Sequence, residues 1–188
     1  VVACRFGRPE VARYLMEPSP APIAFAARAG VALSATVTSN AVSVTGLEAP
    51  APISVSGGSY SIGCGATFVT TPGTISTGQT VCLRHTSSSG YSQPVTTTPA
   101  FAGSVLTFTS TTVAAPTLTV SAPSLAFPGQ AVGTTSGGQV VTITNNGGDA
   151  ATGLFVGTGG DFAVSATTCG ASLPALTSCT VTLVFTPL

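Results

Sequence analysis

The sequence predicts an all-β protein, two tandem β-sandwiches behind a short N-terminal tail. Three observations lead there. Charged residues make up only 5% of the 188 residues, against about 25% in ordinary globular chains, and Ser, Thr, Gly, Ala and Val take their place. Short runs alternate apolar and small polar side chains with a period of two, as strands with one solvated face do. Turn signals (GG, TPG, STGQ, SSSGY, NNGGD) recur between these runs, and short strands at that spacing are the mark of stacked sheets.

Three parts follow along the chain. Residues 1–21, VVACRFGRPEVARYLMEPSPA, hold three of the five arginines, two of the five acids and the only Met. There VVACRF can extend, PEVARYLME can form two helical turns, and PSPAP enforces an extended linker. Residues 22–113 form the first domain, with expected strands IAFAA, LSATVTS, AVSVTGL, PISVSG, SYSIGC, TFVT, TVCLRHTS and SVLTFTSTT. Ala114–Pro116 is a hinge. Residues 117–188 form the second domain, with TLTVS, SLAF, QVVTITN, GLFVG, DFAVSA and CTVTLVF. A length of 188 residues accommodates two small domains of this kind.

Composition excludes several function classes. The formal net charge is zero and all five basic residues are arginines, whereas nucleic-acid binding demands clustered cations to neutralise phosphates. The same neutrality argues against tight binding to an anionic membrane surface. No run approaches the roughly 20 apolar residues of a membrane-spanning helix; PIAFAARAGVAL is broken by Arg28. Scarce charge also leaves few of the guards that keep sheet edges from pairing with one another.

The five cysteines point to an oxidising compartment, so an extracellular or cell-surface location is expected. Cys64 with Cys82 and Cys169 with Cys179 lie pairwise within the two domains, and local disulfides are the economical reading. One histidine and no close Cys pairs cannot assemble a zinc site, so no metal or other cofactor is expected. In TVCLRHT, Val81, Leu83 and His85 share one face, which places Cys82 opposite them and the first bridge on an outer face or rim. Cys4 is left over, to be unpaired, intermolecular or modified.

Chemistry has little to stand on. The sole histidine, His85, would need Asp149 or Asp161 from the other domain for a Ser-His-Asp arrangement, and no GxSxG elbow is present. His85 is read instead as a strand residue satisfied by Ser and Thr hydroxyls. Scattered carboxylates do not make a glycosidase pair, and GTGGDF is a Gly-rich hairpin rather than a phosphate loop. Asn145, Asn146 and Asp149 offer oxygens to calcium, but one acid in a turn reads first as a turn. Tyr60 and Tyr91 are expected to pack in a core or rim. The chain is therefore expected not to be an enzyme.

The second domain resembles a known family. SLAF, the VGTTS turn, VTITNNG, GDFAV, the CGASLPALTSC pair and the closing VTLVFTP are similar to the choice-of-anchor D type of bacterial immunoglobulin-like domain, related to Hydin-type (ASH) domains. The first domain, through VTSNAVSVTGL, APISVSGGSYSI, GTISTGQTVCLRHTSS and LTFTSTT, is similar to a bacterial surface module that precedes such domains in large secreted proteins. The resemblance implies immunoglobulin-like sandwiches, export and no enzymatic activity.

Family members continue past FTP with a Gly-containing turn and further strands. A sandwich without them is expected to expose apolar side chains and unpaired backbone along its last strand, with Val181, Leu183 and Phe185 as the acceptor groove. The donor expected to fill it is Val1, Val2, Ala3, Cys4, Arg5 and Phe6 of another subunit, a head-to-tail contact that builds fibres. The expected partners are copies of the chain itself, with surface glycans or other surface proteins in the alternative, an adhesin-like spacer.

Overall fold

A computed structural model describes residues 24–101 and 104–188. These residues are all-β, without a helix, and form several sheets. The strands in chain order are β1 Arg28–Val31, β2 Thr36–Thr38, β3 Val42–Ser43, β4 Ala51–Ser56, β5 Ser59–Ile62, β6 Gly73–Ile75, β7 Thr80–Thr86 and β8 Pro94–Phe101. They continue with β9 Ser104–Val105, β10 Phe108–Thr112, β11 Leu118–Val120, β12 Gln139–Asn145, β13 Ala151–Thr152, β14 Phe162–Thr167, β15 Ser172–Leu173 and β16 Ser178–Phe185.

Up to β10 these strands make two sheets. One runs β1-β10-β8-β4-β6, with β9 on β8; the other centres on β7, which carries β2 and β3 on one edge and β5 on the other. Alternation in the sequence makes each sheet two-faced, and the apolar faces meet. Val37, Val42, Tyr60, Val81 and Leu83 from one sheet share a core with Ile53, Ile75, Phe101 and Phe108 from the other. Tyr60 is 2% exposed, and its hydroxyl donates to the Thr71 carbonyl at 3.0 Å; Tyr91 is exposed.

Gly57 and Gly58 turn β4, in one sheet, into β5, in the other. A Cβ on Gly58 would lie 2.5 Å from Thr97 Oγ1 and 2.6 Å from the Arg84 carbonyl, so only glycine fits.

After β10 the pattern thins. A four-stranded sheet runs β11-β12-β16-β14, and β13 and β15 form a separate two-stranded ladder. In the larger sheet, registers place Val141, Ile143, Cys179, Val181, Leu183, Phe185 and Phe162 on one face, and Thr142, Thr144, Thr180 and Thr182 on the other. The β13–β15 ladder covers one end of the apolar face, where Ala151, Leu173 and Cys179 pack with Ile143, Leu154 and Cys169. Gly147 turns against the Ala114–Pro116 stretch, with an added Cβ 2.4 Å from Pro116 Cα, so the two segments are packed together.

Several expected strands differ. Ala24–Ala27 and SLAF are not strands, and TFVT contributes only the bridge between Val69 and Tyr60. β8 contains Pro94 and Pro99, residues that argue against an interior strand, yet it pairs with both β10 and β4. At its ladder positions each Pro nitrogen needs only to avoid a donor role, which alternate residues of an antiparallel strand do not fill.

Phe108 is fully buried at the meeting of the two sheets. Phe108→Ala is expected to lower the unfolding free energy by about 3 to 5 kcal/mol, whereas Val140→Ala, at a side chain 57% exposed, should change it by less than about 0.5 kcal/mol, both read from urea denaturation.

Candidate functional site

Polar chemistry in the first half converges on β7. His85 is buried, its ring stacked on Phe108 at a centroid distance of 4.9 Å. Nδ1 lies 2.7 Å from Thr97 Oγ1 on β8, and Nε2 lies 2.7 Å from Ser110 Oγ on β10. The Thr97 hydroxyl donates to the Gly57 carbonyl at 3.0 Å, so its oxygen is left to accept from Nδ1–H. Nε2 then accepts from Ser110 Oγ–H, and the neutral ring fits with every donor matched. The single histidine thus joins the two sheets of its own sandwich, through hydroxyls contributed by the opposite sheet. Both ring nitrogens are occupied, and Asp149 and Asp161 belong to the β12–β13 turn and the approach to β14.

The cysteine pairs are Cys64–Cys82, with Cα atoms 5.1 Å apart, and Cys169–Cys179, at 5.0 Å. Cys82 faces away from the core that Val81 and Leu83 enter, yet it is only 5% exposed, because the bridge to the half-buried Cys64 covers it. The bridge thus lies on the outer face of β7, where it was expected, and Cys82 is covered there. The second bridge is itself core: Cys179 and Cys169 are among the few groups that fill the second half.

Asn145 is fully buried. Its Oδ1 accepts from the Thr117 and Gly147 amides at 3.1 and 3.0 Å, and its Nδ2 donates to the carbonyls of Asp149, Leu173 and Pro174 at 2.8, 3.1 and 3.3 Å. The side chain is spent on backbone. Among the described residues no group of three or more His, Cys, Asp or Glu side chains could hold a metal.

Two surface features bear on the expected binding surfaces. The first is a cleft of about 580 Å³ beside β7, lined by Arg84 with Thr36, Ser59, Thr70, Thr86 and the Gly57–Gly58 turn. The Arg84 guanidinium carbon sits 4.0 Å from the centroid of the Phe68 ring. The second is an apolar hollow of about 300 Å³ on the larger sheet of the second half, lined by Leu125, Phe127, Val141, Phe162 and Leu183 with the Ala122–Pro123 stretch. Phe162 and Phe185 pack at a tilt with centroids 5.1 Å apart, and Phe127 lies 5.7 Å from Phe162 and 6.1 Å from Phe185. Phe162 remains 45% exposed.

The expected acceptor residues divide. Val181 is buried, Leu183 lines the hollow, and Phe185 belongs to the aromatic cluster. The backbone expected to be open beside them is not open. β16 pairs with β12 on one edge and β14 on the other, and past it Ser136 and Gly133 bond to Phe185 and Pro187 while Thr186 bonds to Asp161. An inserted strand has no place next to β16; the outer strands of this sheet are β14 and β11. The donor residues Val1, Val2, Ala3, Cys4, Arg5 and Phe6 lie outside the described residues. Sequence reading passed over Phe127 and Phe162, although the alternation in DFAVSA already sets Phe162 and Val164 on one side.

Comparison with models of known protein families and with curated proteins finds no match to this chain.

Burial holds the His85 imidazolium below its ordinary pKa of 6.5, because charge is disfavoured away from water. The folded state therefore binds a proton less readily than the unfolded one, and the His85 contribution to stability, complete above the ordinary value, is lost as pH falls through and below it. With one histidine in the chain, chemical denaturation between pH 7.5 and about 5 should show falling stability in the native protein and a flatter profile in His85→Gln; equal slopes would contradict the assignment.

Proposed function

We propose that this chain is a structural subunit of an extracellular bacterial filament or surface layer, built of two tandem immunoglobulin-like sandwiches. In this reading the domains are residues 22–113 and 117–188, the latter of the choice-of-anchor D type. Subunits join head to tail by β-structure donated from one copy to the next. The observation that carries it is the larger sheet of the second half: threonine on one face, apolar residues on the other, a strand ladder over one end, and at the other only the loop side chains Leu125 and Phe127, which leave Phe162 45% exposed. An open apolar hollow walled by Phe127 and Phe162 marks a surface meant to be covered.

Because β16 is paired on both edges, the proposed acceptor is the hollow at Phe127, Phe162 and Leu183 together with the outer edge of β14. The proposed donor remains residues 1–6 of a neighbour. No catalytic role is part of this reading, since the one histidine is spent in the core. Two disulfides fit an oxidising, non-cytoplasmic setting. The Arg84 cleft favours a second reading, a spacer in a larger adhesin-like surface protein that also carries a ligand site.

Removing residues 1–21 separates them. The intact chain is expected to form regular filaments by negative-stain electron microscopy, and the truncated chain, still folded by circular dichroism, is expected to stay dispersed. Filaments of the same form from the truncated chain would refute donation by the tail, and dispersed intact chain would favour the spacer.

A further inference from the structure

Arg84 occupies the middle of β7, opposite Thr38 of β2 and Ser59 of β5, so it rises from the centre of three adjacent strands. It points away from the core, between the core-facing Leu83 and His85. The chain has five arginines, of which Arg28 and Arg84 fall among the described residues, and the described acids are Glu48, Asp149 and Asp161. None of these acids lies on β2, β5 or β7, so the strands around Arg84 supply no counter-ion.

The stacking on Phe68 does two things. It holds the guanidinium against the Phe68 ring at 4.0 Å, and a cation so held keeps N–H donors for an acceptor. The same cleft is lined by the hydroxyl-bearing residues Thr36, Ser59, Thr70 and Thr86. Only the Ser59 hydroxyl has a partner within the described protein, the Arg84 carbonyl at 3.2 Å.

We propose that this cleft binds a carboxylate carried on a sugar, an acidic saccharide of the uronic type. A single fork of N–H donors matches the two coplanar oxygens of one carboxylate. Hydroxyls that both donate and accept match the hydroxyls of the sugar ring. A cleft of about 580 Å³ is of the size that small ligands occupy. Polyphosphate is a poor fit because only one cation is present to meet its charge, and a lipid tail is a poor fit because the lining is polar. The inference stands whether the chain polymerises or acts as a spacer, since it rests on the cleft around Arg84 and not on the hollow beside Phe162.

The test is saturation-transfer difference NMR on glucuronate in the presence of the intact chain, a readout that tolerates large assemblies. Saturable transfer to glucuronate, competed by galacturonate and absent for glucose, is the expected result. Arg84→Gln is expected to weaken binding by about tenfold or more, with Arg84→Lys intermediate because a point charge lacks the fork. Each variant is checked for an unchanged denaturation midpoint, and Thr86→Val, which leaves the arginine in place, should also weaken binding. No transfer to glucuronate at tens of millimolar would overturn the proposal. So would equal transfer to glucose, undiminished transfer in Arg84→Gln, or full competition by acetate alone.

Discussion

A two-faced sheet has to have its apolar face covered, and in this chain little else is available to hold structure together. Surface ion pairs contribute little even where charge is plentiful, and here charged residues are 5% of the chain. The first half meets the constraint internally, by closing one sheet on another around Phe108, Ile53, Ile75 and Leu83. The second half meets it in part: a two-stranded ladder and a disulfide cover one end, and a phenylalanine cluster lines the hollow at the other. The proposed assembly and the uneven core are two consequences of the same requirement.

Hydroxyl and amide side chains do the work that ion pairs do elsewhere. His85 ties three strands of two sheets through Thr97 and Ser110, and Asn145 holds the start of β11, the Gly147 turn and the end of β15 with five bonds from one side chain. Among the described residues every buried side-chain nitrogen or oxygen has a partner. A core rich in Ser and Thr is stable only on that condition, because an unmatched polar group loses its water without compensation. The Arg84 cleft is the outward counterpart, where hydroxyls around a cation have been left to a ligand.

Much of the all-β character was legible because a period of two survives in short runs. TVCLRHT, QVVTITN and CTVTLVF carry it plainly and became β7, β12 and β16. β8 was missed because its prolines masked a strand whose alternate positions need no donor, and Phe162 was passed over although its alternation was visible. SLAF was overcalled because Leu125 and Phe127 pack onto a sheet from outside it, and apolar packing leaves the same sequence trace as a strand. The β12 partners of β16, the hydroxyl partners of His85 and the distant partners of Asn145 were illegible for a common reason: they lie 12 to 44 positions away along the chain, a separation that local pattern does not encode.

The central claim is that β-structure from another copy covers the hollow beside Phe162. The most direct measurement replaces Phe162 with photoreactive benzoylphenylalanine in the full chain, mixes light and heavy isotope-labelled protein, irradiates it, and maps the cross-linked peptides by mass spectrometry. The account predicts mixed-isotope links from position 162 to residues 1–6. Links confined to a single isotope, or to positions outside residues 1–21, would contradict it.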